Sequence, residues 1–215
     1  MTIADRRERE KQQRRESILD AAERFFFTKG VAASTMDEIA ESVELSKGTI
    51  YLYFKTKEDL YVGIVERCMH RLIDMFREAE RSAATGLEKV KAMGRALFDF
   101  YAESPCHFSA LFYHHESIPL EIDVDDPRLR PLLEDTNTMA MLSFEAIRAG
   151  IADGSIRPDI DPKKASFALY SMLLGLIRMV AIEEKYLLKN IGLPANDLIA
   201  YAFDLVEHAV GNPGA

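Results

Sequence analysis

Apolar positions along this chain recur at steps of three and four, the period of an amphipathic helix and not of a strand. Ile18, Leu19, Ala22, Phe25 and Phe26 form one stripe on a helix predicted from Arg7 to Lys29 and stopped by Gly30. Its first turns are polar all round, so they are expected to project or fray. Met36, Ile39, Ala40 and Val43 share the face of a short second helix, and a third is predicted over Lys47–Phe54. A long fourth follows Thr56 and runs to Ala83, with Leu60, Ile64, Cys68 and Leu72 every four residues. Thr85 with Glu88 reads as a capping box for a fifth helix that stops before Pro105. A short aromatic segment is predicted over 105–116 and an acidic loop, EIDVDD, over 121–126. Three stretches complete the series: 128–153 closed by Gly154, 161–189 opened by Asp161 and Pro162, and 196–210. The tail GNPGA is expected to fray. There are no hairpin signals and no sustained alternation, so the fold class is all-α.

Composition adds bounds. A chain of 215 residues with 48% apolar positions can bury a sizeable core, as one large or two smaller domains. No uninterrupted apolar run approaches the roughly 18 residues of a membrane span, so no membrane partner is expected. The charged N-terminus does not resemble a secretory signal. Two cysteines, Cys68 and Cys106, make no disulfide framework, which sets the expectation of a cytoplasmic protein.

The most informative stretch is TMDEIAESVELSKGTIYLYFKTKEDL, residues 35–60. Thr35, Ser46 and Thr56 each precede a short amphipathic run, where a hydroxyl can accept from the orphan N–H groups of a helix start. Three starts in so short a span are the punctuation of a helix-turn-helix, a motif that places one helix in the major groove of DNA. With Ser46 as cap, Lys47, Gly48 and Thr49 occupy the end of the helix that reaches base edges. Lys47 can donate to guanine, Thr49 can meet a phosphate or a thymine methyl, and Gly48 lets the backbone approach. Ile50 and Phe54 face inward, while Tyr51 and Tyr53 offer hydroxyls along the groove wall. Lys57, in the first turn of the next helix, can grip a phosphate.

The net charge of −8 looks wrong for a DNA binder. Residues 1–60 hold 11 Lys+Arg against 12 Asp+Glu, so the motif region is nearly neutral and the acidity lies beyond it. Its cations are clustered: Arg6, Arg7, Arg9, Lys11, Arg14 and Arg15 in front, then Lys47, Lys55 and Lys57. Local patches matter more than the total. The front cluster reads either as a solvated helix extension or as an arm entering the minor groove.

SKGTIYLYFKTKEDL closely resembles the recognition-helix signature of TetR-family transcriptional regulators, and ILDAAERFFFTKGVAASTMDEIAESVELS resembles the two helices before it. A weaker resemblance covers GIADGSIRPDIDPKKASFALYSMLLGLIR, residues 150–178. The resemblance implies an all-α homodimer of about nine helices per subunit. It implies a DNA-binding domain at 1–60, including the charged arm, and a ligand-binding and dimerisation domain at 61–215. Carried over by position, Thr35 would contact phosphate, Lys47, Gly48 and Thr49 would face bases, Tyr51 and Tyr53 would line the groove or hold phosphate, and Lys57 would clamp the backbone. The implied partners are a palindromic operator, a small apolar or amphipathic effector and a second copy of the chain. The implied function is repression relieved by the effector, with an activator or a ligand-binding protein lacking DNA activity as alternatives. One departure stands out: Glu44 occupies the turn where the family usually has glycine, so the turn is expected to differ slightly.

Other chemistry fares less well. His107, His114, His115 and Glu116 lack the spacing of a metal site. There is no phosphate loop, nucleophile elbow or zincin motif, so neither catalysis nor a cofactor is expected. Phe98, Tyr101, Phe108, Phe112, Met141, Phe144 and Tyr170 crowd the second half as ordinary core or, together, as an apolar cavity oriented by Tyr101, His114, Tyr170 and Arg178. Ala168, Ser171, Leu174, Gly175 and Arg178, with Ala202, Leu205 and Ala209, recur at helical steps on the last two helices. They read as packing within the subunit or as a two-fold interface.

Overall fold

The computed structural model describes residues 3–112, 126, 127 and 129–214. Among them are nine α-helices: α1 (Ile3–Lys29), α2 (Met36–Ser42), α3 (Lys47–Tyr53), α4 (Lys57–Ser82), α5 (Gly86–Glu103), α6 (Pro105–Phe112), α7 (Arg130–Asp153), α8 (Pro162–Tyr186) and α9 (Ala195–Val210). A π-helical turn, Leu187–Ile191, extends α8 and ends at Gly192 in the left-handed region. The only β pairing among the described residues is an isolated bridge between Ile156 and Gly211. The chain divides into two compact units, residues 1–70 with 105–134 and residues 71–104 with 135–215. The division passes through α4, and α6 belongs to the first unit.

In the first unit, Ile18, Leu19, Ile39, Ile50, Leu60 and Ile64 are fully buried, one or two from each of α1 to α4. The close approach of α4 to α1 depends on Gly63, where a Cβ would stand 3.0 Å from Leu19 Cδ2 and 3.3 Å from Phe54 Cε1. Arg67 of α4 ties the same pair by donating to Asp20 at 2.6 Å and to Glu23. Glu23 also pairs with His107 of α6 at 2.7 Å, and Tyr61 of α4 donates to Ala110 O at 3.0 Å. Contacts with His107 and Arg67 hold the Glu23 carboxyl below its usual range despite its partial burial, which alone would raise it. Burial pushes the Tyr61 phenol up to about 12. The front of α1 is helical from Ile3 and exposed through Arg14, so of the two expected behaviours it projects. Pairs such as Arg6–Glu10, one turn apart, support it.

The second unit is closed at one end by residues 153–156. Asp153 Oδ2 accepts from Gly86 N at 2.8 Å and Ser155 Oγ from Leu87 N at 3.1 Å, capping α5. Ile156 packs with Ile147 and Val210, and Arg157 N donates to Val210 O. A Cβ on Gly86 would lie 1.9 Å from Gly150 N, so α5 and α7 touch backbone to backbone there. The expected fraying of the tail does not hold at its start. Asn212 N donates to Ser155 O at 3.0 Å and its side chain to Gly154 O at 2.9 Å.

Residues 162–191 form one continuous helical stretch. This helix is long and apolar enough, by length and composition, to cross a membrane, and most of it is exposed in a single chain. Ser171, Gly175 and Arg178 interrupt the apolar run, which is why no continuous stretch stands out in the sequence.

Candidate nucleic-acid interface

The three predicted caps form as local chemistry requires. Thr35 accepts from Glu38 N at 3.2 Å while Glu38 accepts from Thr35 N at 3.0 Å, a reciprocal capping box at the start of α2. Bonds from Lys29 and Thr35 hold the Glu38 carboxyl below its usual range. Ser46 Oγ accepts from Thr49 N at 3.2 Å and bonds the Thr49 hydroxyl at 2.8 Å. Thr56 Oγ1 accepts from Asp59 N, and Asp59 in turn accepts from Thr56 N and Lys55 N.

The turn between α2 and α3 is made without glycine. Glu44 has φ 56, the one positive φ outside glycine among the described residues. Leu45 N donates to Ala40 O at 2.9 Å and Glu44 N to Glu41 O at 3.0 Å, the paired bonds of a Schellman motif. Glu44 thus takes the left-handed conformation that glycine favours, at a cost of about 1 kcal/mol.

Below α3, Ile50 is fully buried and Phe54 nearly so, with the Arg15 guanidinium 5.4 Å from the Phe54 ring centre. Above it, Lys47, Gly48 and Leu52 are exposed, and Thr49, Tyr51 and Tyr53 half-buried. Lys47 Nζ lies 2.8 Å from Asp37 Oδ2 of α2, both groups more than half exposed. This bond raises the Lys47 ammonium above its usual range. An exposed pair of this kind is screened by solvent and weak, so Lys47 can exchange Asp37 for a base edge.

Lys57 sits differently from expectation. Its ammonium donates to Val31 O at 2.9 Å and Ala32 O at 3.2 Å, binding the loop after α1 to the start of α4. A phosphate grip by Lys57 would need its backbone N–H or a partial release from those carbonyls. Lys55 donates to Tyr51 O at 2.7 Å. Two further residues belong to this face: Asp37, which holds Lys47, and the exposed Leu52. Leu52 breaks the inward pattern of Ile50 and Phe54 by two positions, the signal that sets it on the outer face.

The second unit contains a cavity of about 350 Å³, lined mainly by apolar side chains of α5, α7, α8 and α9 with Phe76 from α4. Of the side chains expected to line such a cavity, Tyr170 is on its wall, and burial pushes its phenol up to about 12. Phe98 instead packs on Phe203, a wall residue, at 6.1 Å between ring centres. Phe144 stacks edge-on against Phe167 at 6.0 Å, while Met141 and Arg178 are exposed. Tyr101 is half-buried off the wall, its phenol raised by burial. Phe108 is buried in the first unit, because Pro105 restarts the helix as α6. The Phe112 side chain and His114 lie outside the described residues. The hydroxyls of Ser143 and Ser166 and the Lys91 ammonium, paired with Glu207, are the wall's other polar groups. Of the expected interface residues, Ala168, Ser171, Gly175, Arg178, Leu205 and Ala209 are exposed, with Leu174 and Ala202 half-buried. Among the described residues no group of three His, Cys, Asp or Glu side chains is placed to hold a metal ion.

Residues 18–64, which span the motif, match the family described as bacterial regulatory proteins, tetR family. The chain belongs to the TetR family of transcriptional regulators. It is 27% identical over 148 residues to the HTH-type transcriptional repressor KstR2 of Mycolicibacterium smegmatis, covering 69% of this chain and 70% of that one. It is 31% identical over 100 residues to the HTH-type transcriptional activator FasR of the same species, covering 46% of each. The solved structure of the ketosteroid transcriptional regulator KstR2 of Mycobacterium tuberculosis superposes with a TM-score of 0.64 at 19% identity, over 92% of this chain and 95% of that one. As a TetR-family protein the chain is a DNA-binding transcriptional regulator with an N-terminal helix-turn-helix and a helical C-terminal part.

Proposed function

We propose that this regulator is a homodimeric repressor of a palindromic operator, released by a small apolar or amphipathic molecule held in the 350 Å³ cavity. The division of labour follows residues 1–60 for DNA and 61–215 for ligand and dimer. The observation that carries the reading is the outer face of α3, where Lys47 and Gly48 are exposed above a buried Ile50. Lys47 reads a base edge, Thr49, Tyr51 and Tyr53 meet the groove wall, and Thr35 and Lys57 set the register on phosphates. One α3 spans few base pairs, so useful specificity needs two, about 34–36 Å apart. The exposed apolar and small residues of α8 and α9 suit a second copy as the partner that brings the two together.

The cavity is at the small end of ligand sites. Its neutral hydroxyls orient a molecule with one polar group, and Lys91, already paired, favours no strong anion. The effector must bind the DNA-free state better than the DNA-bound one. A tenfold loss of operator affinity requires about 1.4 kcal/mol of coupling.

Selection from random duplexes by the purified protein tests the reading, and a palindrome is the expected product. Lys47→Ala should then cost about 1–3 kcal/mol and relax preference at one base pair, whereas Tyr53→Phe should weaken all sequences evenly. Recovery of no sequence preference at moderate salt would favour a helical ligand-binding protein without DNA activity. The FasR relative is named an activator, so a reporter driven from the selected operator decides the sign of regulation.

A further inference from the structure

Leu52 is the most exposed large apolar side chain among the described residues, at 77%, and the only one so exposed in the first unit. A single exposed leucine is ordinary on a protein surface. Leu52 differs because of what stands one turn before it on the same helix face. Gly48 lies four residues earlier, and a Cβ there would meet nothing in the chain closer than Ser46 Oγ at 3.9 Å. Its φ is not in the left-handed region, so neither packing nor backbone conformation asks for glycine. Glycine inside a helix instead costs stability relative to alanine. Helical side chains lean toward the N-terminus, so Leu52 extends over the bare turn at Gly48. The result is a flat strip of backbone beside one apolar knob, flanked by the cations Lys47 and Lys55.

We infer that Leu52 is a specificity residue that reads the C5-methyl group of a thymine in the major groove, with Gly48 supplying the close approach that lets it reach. The flanking lysines suit a polyanion and not a second apolar surface. The methyl of thymine is the one apolar group that a base pair displays there. The inference rests on the DNA reading above, and its test separates the two.

The operator selected by the wild-type protein is resynthesised with deoxyuridine in place of each thymidine in turn, which deletes only the methyl. Binding is measured for wild type, Leu52→Ala and Leu52→Met. Burying one methyl predicts about a fourfold loss per half-site for wild type at one thymine. Leu52→Met should keep that loss and Leu52→Ala should abolish it, while both keep the wild-type circular dichroism, because the side chain is 77% exposed. The inference is overturned if wild type is indifferent to every uracil, or if Leu52→Ala remains as sensitive as wild type. Selection of no sequence at all overturns the DNA reading, and this inference with it.

Discussion

Two helix faces of this protein are exposed without being ordinary solvent surface, and they differ in kind. The outer face of α3 is polar and cationic, with Leu52 set among Lys47, Lys55 and two tyrosines. The outer face of α8 is apolar, with Phe167, Met172, Met179 and Ile182 all exposed. Each carries a glycine its own chain does not need. A Cβ on Gly175 would meet nothing within 4 Å, and one on Gly48 only the Ser46 hydroxyl oxygen at 3.9 Å. Each glycine sacrifices helix propensity, about 1 kcal/mol against alanine, for a flat surface. The surroundings then tell the two partners apart. Cations and a lone methyl reader fit a groove lined with phosphates, whereas a continuous apolar stripe fits its own copy.

A charge on the α8 face is the most disruptive way to test this contrast. Ser171→Arg places a guanidinium where a partner helix would exclude water, while leaving the chain's own core untouched. Sedimentation should show monomers with unchanged helical content, and operator affinity should fall at least about 100-fold as two-site reading is lost. A dimer that survives this change would remove α8 from the interface.

The paired glycine variants sharpen the comparison. Gly48→Ala should raise the unfolding midpoint by a few degrees, worth about 0.5–1 kcal/mol, yet weaken operator binding about tenfold with the dimer intact. Gly175→Ala should stabilise the isolated helix by a similar amount and weaken self-association instead. If either variant moved both binding equilibria alike, the two faces would not have separate partners.

The smallest effect on operator affinity is expected at the turn that aims α3. Glu44→Gly should relieve the left-handed glutamate and stabilise the fold by about 1 kcal/mol, seen as a higher thermal midpoint. It also removes a negative charge near the DNA, so operator affinity should rise slightly and the rise should shrink with added salt. An unchanged or lower midpoint would mean that Glu44 contributes something the backbone cost conceals.

The sequence by itself determined the helices and their starts. Capping is a matter of neighbouring residues, so Thr35, Ser46, Thr85 and Asp161 announce themselves within four positions, and each accepts from the expected N–H. The inward set Ile50 and Phe54 follows from helical period alone. Only the tertiary structure decided which side chains meet across the chain. Tyr170 reached the cavity wall while Phe108 went to the first unit, because Pro105 opens a helix whose His107 and Ala110 bond to Glu23 and Tyr61. Lys57 turned to the carbonyls of Val31 and Ala32, 26 and 25 residues away, and Lys47 to Asp37, 10 residues away. Local hydrogen bonds are set by spacing along the chain, whereas these contacts depend on how helices pack, which no single stretch of sequence contains.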